Sequence, residues 1–103
     1  MKIEGKSLRY DIDDALRVVI TGGEMHVISR NSSKSVPFKT IFTIDKDFDL
    51  TVNSSIGSLS IDGQAVDGVK AVRVNADGAR IVLISGSEID FPVASRSRCT
   101  ITA

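Results

Sequence analysis

Apolar residues fall at alternate positions along most of this chain. Phe48, Leu50 and Val52 form one such set, Ile89, Phe91 and Val93 a second, and Cys99 and Ile101 a third. A spacing of two places side chains on one face of a β-strand. It predicts strands over 8–12, 16–20, 25–28, 38–44, 48–52, 56–61, 88–93 and 99–102, with two more flanking Asp77-Gly78. The β-branched run Val18-Val19-Ile20-Thr21 favours strand over helix, and helix is nearly absent from the pattern. The expected fold is all-β: a single-domain antiparallel β-sandwich or flattened barrel over residues 1–103, with about nine or ten short strands.

Turn chemistry sets the expected registers. Gly22-Gly23 as a two-residue hairpin turn sets Ile20 opposite Met25, Val19 opposite His26 and Val18 opposite Val27. Leu16, Val18, Ile20, Met25 and Val27 then share one face, and Arg17, Val19, Glu24, His26 and Ile28 share the other. Asp77-Gly78 as a similar turn sets Val74 opposite Ile81 and Val72 opposite Leu83. Val82 and Ile84 make the second face of that hairpin partly apolar. Pro92 lacks an N–H, so the strand before it belongs at an edge. Residues 29–37 have no period and read as the longest loop. The expected core is Leu16, Val18, Ile20, Val27, Phe42, Phe48, Leu50, Val52, Leu59, Ile61, Val72, Val74, Ile81, Leu83, Ile89 and Phe91.

Charge and cysteine usage narrow the function classes. The 103 residues suit one domain and carry thirteen basic and thirteen acidic side chains. Zero net charge argues against coating nucleic acid and removes the self-repulsion that keeps copies apart. A single cysteine, Cys99, excludes an intrachain disulfide. The opening MKIEGKSLRYDID has no apolar core of a signal peptide, and no run approaches the ~20 apolar residues that span a bilayer. Asn31-Ser32-Ser33 and Asn53-Ser54-Ser55 match the glycosylation acceptor pattern but read as turns without a secretory signal. The expected location is the cytoplasm, or a particle assembled there, with a protein partner or the chain itself as partner and no membrane.

Candidate chemistry is sparse. One His and one Cys supply no zinc spacing. His26 sits in a strand beside Val19, and Cys99 occupies an apolar strand position, as a small buried hydrophobe does. Asp45-Lys46-Asp47-Phe48-Asp49 starts like a calcium loop, but Leu50 and Ile56 stand where an EF-hand needs Gly and Glu. No metal, cofactor or catalytic residue is expected. Between Glu24 and Asp45 there is no acid, while Arg30, Lys34 and Lys39 are present, and Arg96 and Arg98 form a second basic spot. These five are the candidate binding residues, able to hold a phosphate or an acidic partner surface.

Two stretches resemble known families. Gly57 to Ala71 resembles the glycine and valine spacing of bactofilins, polymerising β-helix filaments, although the period stops before Leu50 and after Ala79. Arg30 and Lys34 with Asn53-Ser54-Ser55-Ile56-Gly57 resemble the basic-loop pattern of PilZ cyclic-dinucleotide binders, with Lys for the second Arg and a Ser-to-Gly spacing one residue short. Neither carries functional residues over. The expected function is a non-catalytic assembly or scaffolding module, self-associating or joining a larger particle such as a phage virion or surface appendage. The alternative is a small binding protein or inhibitor whose 29–39 loop, with Arg96 and Arg98, holds an anionic ligand.

Overall fold

Alternate-residue burial builds two antiparallel sheets over a shared core. The computed structural model describes residues 1–30 and 37–103. Its strands are β1 (Lys2–Glu4), β2 (Ala15–Thr21), β3 (Glu24–Arg30), β4 (Pro37–Thr43), β5 (Asp49–Asn53), β6 (Ser58–Ile61), β7 (Gln64–Val66), β8 (Val69–Asn75), β9 (Gly78–Leu83), β10 (Glu88–Phe91) and β11 (Cys99–Thr102). One sheet has the order β1-β5-β8-β9-β10 and the other β4-β3-β2-β11-β6-β7. Both retain open edges, so the fold is a sandwich rather than a closed barrel.

The core is drawn from the facing sides of both sheets. Leu50, Val52, Val72, Val74 and Ile81 of the five-stranded sheet meet Val18, Ile20, Met25, Val27, Leu59 and Ile101 of the six-stranded sheet, all buried. Phe42 and Phe48 tilt against each other with ring centroids 6.1 Å apart, a favoured aromatic arrangement. Among the described residues no polar or charged residue is buried. Removing this apolar surface from water is the main favourable term in folding.

The hairpin register at Gly22-Gly23 follows from backbone chemistry. Both glycines take positive φ, 57° and 77°, as the tight turn between right-twisted strands needs. The pairs Ile20↔Met25, Val19↔His26 and Val18↔Val27 result. A second two-residue turn, Asp62-Gly63, closes β6 onto β7 with Ile61 opposite Gln64. Within the bactofilin-like stretch, β6 and β7 pair antiparallel, unlike the stacked parallel rungs of a β-helix.

Several expectations need correction. Eleven strands form among the described residues, where about nine or ten were expected. Residues 8–12 make no strand; only Ile12 bridges Ile3, with reciprocal N–H to carbonyl bonds of 2.8 and 2.9 Å. That segment carries the chain from one sheet to the other, which a paired strand cannot do there. The strand at its side is the three-residue β1, too short to show a period.

The turn between β8 and β9 falls one residue early, at Ala76-Asp77, so Val74 pairs Ala79 and Val72 pairs Ile81. Asn75 Oδ1 accepts the Asp77 N–H at 2.9 Å, and this local Asx bond fixes the earlier turn. Leu16 leaves the core because a bulge between Ala15 and Arg17 shifts the register and buries Ala15 instead. Phe42, Ile61, Leu83 and Ile89 pack against the core half-buried. Ser29-Arg30 and Pro37 belong to paired strands, which takes both ends of the expected 29–37 loop into the sheet; the rest of that expectation, 31–36, lies outside the described residues.

Candidate functional site

The two outer faces differ in chemistry. Across the five-stranded sheet, the registers line up Glu4, Thr51, Arg73, Arg80 and Asp90 in one row. Arg80 Nε lies 3.3 Å from Asp90 and 3.6 Å from Glu88. Lys2 reaches Glu4 at 3.6 Å and Asp11 at 3.8 Å. Asn53 Nδ2 donates to Glu4 Oε1 at 2.7 Å; this bond, aided by the Lys2 ammonium, holds the Glu4 carboxyl below its ordinary value. Apart from Arg73, which makes no ion pair among the described residues, the charges named on this face are paired and solvated, as expected of a face in contact with water.

The outer face of the six-stranded sheet is poorer in acids. One row reads Ile41, His26, Val19, Thr100, Ser60 and Ala65. The next reads Lys39, Ile28, Arg17, Thr102 and Ser58. His26 is half-buried, with Nε2 3.3 Å from Glu24 Oε1. Ile28 is thus flanked by Lys39 on one side and Arg17 on the other, with Arg30 two residues along on the same face. Among the described residues none of these three cations makes an ion pair. Sequence reasoning missed Arg17, although the Gly22-Gly23 register already placed it opposite Ile28.

Of the five candidate basic residues, the four that are described do not converge. Arg30 ends β3, and Lys39 lies next to it on β4. Lys34 falls outside the described residues. Arg96 and Arg98 occupy the segment between β10 and β11, at the other end of the sheet. There Thr21 Oγ1 donates to the Arg96 carbonyl at 3.4 Å, and Gly22 N–H donates to the Ser95 carbonyl at 2.9 Å. Six residue steps of β3 separate Glu24 from Arg30, roughly 20 Å of extended backbone. The basic groups therefore form two separate spots.

The free edges carry the other distinctive feature. A sheet edge presents unpaired backbone groups to any neighbouring strand, and short or proline-bearing edges limit that. β1 and β7 have three residues each and β10 has four, followed by Pro92. β4 has seven. Two of the exposed large hydrophobic residues, Phe38 at 56% and Ile41 at 53%, project from opposite faces of β4. A long edge with apolar side chains on both faces is chemically suited to pairing with another strand.

Remaining chemistry is placed plainly. Cys99 is buried, and burial pushes its thiol up to about 11, so it carries no thiolate at neutral pH. Asp45 Oδ1 accepts the Asp47 N–H at 3.0 Å while Phe48 is buried, a turn followed by a strand. Among the described residues no three His, Cys, Asp or Glu side chains gather as a metal cluster would. No helix there is long and apolar enough to cross a membrane. No family model matches this chain, and no curated protein or solved structure matches it significantly.

Proposed function

We propose that this protein is a non-catalytic assembly module that associates with copies of itself or joins a larger particle, such as a phage virion or surface appendage put together in the cytoplasm. The single observation behind this reading is edge strand β4: seven residues long, without a neighbouring strand on one side among the described residues, with Phe38 and Ile41 half exposed. Zero net charge supports it, because copies meet without electrostatic repulsion. Backbone pairing supplies affinity in strand addition, and alternating side chains supply specificity.

The test is mass in solution by light scattering across the micromolar range. The reading expects at least twice the 11.0 kDa chain mass, and Ile41→Lys should return the protein to monomer by charging the edge. A strict monomer at every concentration, with no partner captured, removes it.

A second reading rests on Arg17, Arg30 and Lys39 grouped around Ile28 without ion-pair partners among the described residues. This group is suited to an acidic partner surface or an anionic ligand. Binding to poly-glutamate that weakens as salt rises supports it. Affinity unchanged when Arg30, Lys34 and Lys39 all become Ala sinks it. The remaining candidates, Arg96 and Arg98, would act as a separate spot.

A further inference from the structure

Which backbone groups of β4 are free follows from the hairpin beside it. In a two-residue hairpin the closing pair, here Thr21↔Glu24, exchanges both hydrogen bonds. Glu24, His26, Ile28 and Arg30 therefore direct their backbone groups toward β2. Met25, Val27 and Ser29 direct theirs toward β4, where they meet Phe42, Thr40 and Phe38. Two further bonds agree with this phase: Ile44 N–H donates to the Gly23 carbonyl at 2.9 Å, and Arg30 N–H donates to the Asp14 carbonyl at 3.0 Å. Lys39, Ile41 and Thr43 are left with N–H and C=O groups aimed off the sheet, unpaired with backbone among the described residues.

We infer that β4 pairs antiparallel with β4 of a second copy about a two-fold axis through Ile41, joining two six-stranded sheets into one. This deepens the assembly reading and rests on it. The argument is one of register. Outward groups at 39, 41 and 43 must face outward groups of the second copy, which leaves few two-fold centres. An axis at Lys39 sets two ammonium groups opposite each other, which is repulsive. An axis at Thr43 sets Ile41 opposite a carboxylate, Asp45. Axes at Thr40 or Phe42 set Ile41 against Lys39 or Thr43.

The axis at Ile41 sets Ile41 against Ile41 of the second copy, Lys39 against Thr43, Thr40 against Phe42, and Phe38 against Ile44. Both exposed apolar side chains of β4 then gain apolar partners, and no like charges face each other. Lys39 also lies one diagonal step from Asp45 of the second copy, within reach of a long side chain. Neither residue has an ion pair among the described residues, so the contact joins opposite charges twice by symmetry.

Single cysteines introduced along β4 test the axis. In an antiparallel hydrogen-bonded pair the Cα atoms lie ~5.5 Å apart, within the ~4.4–6.8 Å that a disulfide spans. Only the residue on the axis meets itself. Native Cys99 is fully buried and does not compete.

Under mild oxidation, Ile41→Cys should form the cross-linked dimer at least tenfold faster than Lys39→Cys or Thr43→Cys. Ile41→Pro, which removes an outward N–H and no bond to β3, should be monomeric with an unchanged circular dichroism spectrum. A wild type of at least dimer mass whose fastest cross-link lies at another position, or at none, overturns the axis and leaves the assembly reading standing. A wild type monomeric at all concentrations overturns both.

Discussion

Asp62 and Arg98 grip each other through the main chain: Asp62 N–H donates to the Arg98 carbonyl at 2.9 Å, and Arg98 N–H donates to Asp62 Oδ1 at 2.9 Å. The pair fastens the β6–β7 turn to the segment that feeds β11. The bond from Arg98, with one from Ser97, holds the Asp62 carboxyl below its ordinary 3.8. The folded state thus binds that proton less tightly than the unfolded chain. The resulting stability is complete above 3.8 and is lost as pH falls through the lowered value. Glu4, lowered from 4.5, adds in the same direction. Thermal melts of Asp62→Asn across acid pH should show a shallower loss than the wild type, and Asp62→Ala should melt lower at neutral pH.

Gly5 is held at φ +147°, where an added Cβ would collide with the Asp49 carbonyl oxygen and come within 2.9 Å of Leu50 Cα. Both obstacles are backbone and cannot swing away. Gly5→Ala should cost about 1–3 kcal/mol or more by chemical denaturation. Gly22→Ala, with open space around it, should cost about 1 kcal/mol through backbone conformation alone.

Cys99 is sealed in the core. Its thiol, raised from 9.0 to about 11, stays protonated longer in the folded chain than in the unfolded one. Its contribution to stability is full below 9.0 and disappears as pH climbs through about 11. Replacing it with Ala should flatten that part of the alkaline arm. A thiol reagent at neutral pH should modify native protein at least a hundredfold more slowly than unfolded protein.

Leu50 has no exposed surface and sits opposite Val74 in the middle of its sheet. Leu50→Ala should destabilise by about 2–5 kcal/mol in urea unfolding, the sum of lost transfer energy and the cavity left behind.

Exposure by itself does not make an assembly site. Ile84 is 74% exposed, more than Ile41, yet it follows the end of β9 in the other sheet, where its N–H already donates to the Gly68 carbonyl at 2.7 Å. Ile84→Lys should leave the mass in solution unchanged, whereas Ile41→Lys halves it or more. Parallel light scattering of the two variants separates edge pairing from general stickiness.

The sandwich was legible wherever a turn was unambiguous and burial one-sided. Gly22-Gly23 fixed β2 against β3, and Val18, Ile20 and Val27 went inside as their spacing demanded. Legibility failed where local chemistry shifted the phase. The bulge beside Leu16 and the Asn75 side-chain bond each displaced a register by means that hydrophobic spacing does not encode. The same holds for the basic residues. Arg30 ends a strand of the six-stranded sheet and Arg96 lies beside that sheet, but which end each occupies depends on the long connection through β10, which no short-range signal reports. The length and openness of β4 also emerge only from strand order, because an edge is defined by the neighbours it lacks.

β11 lies between β2 and β6, strands that end at Thr21 and Ile61, well before Cys99 in the chain. Until residues 99–102 have been synthesised and docked, that sheet exists as two fragments, each with a naked margin. A nascent or truncated polypeptide ending before Cys99 would therefore offer nearby chains two sticky borders that the finished molecule hides.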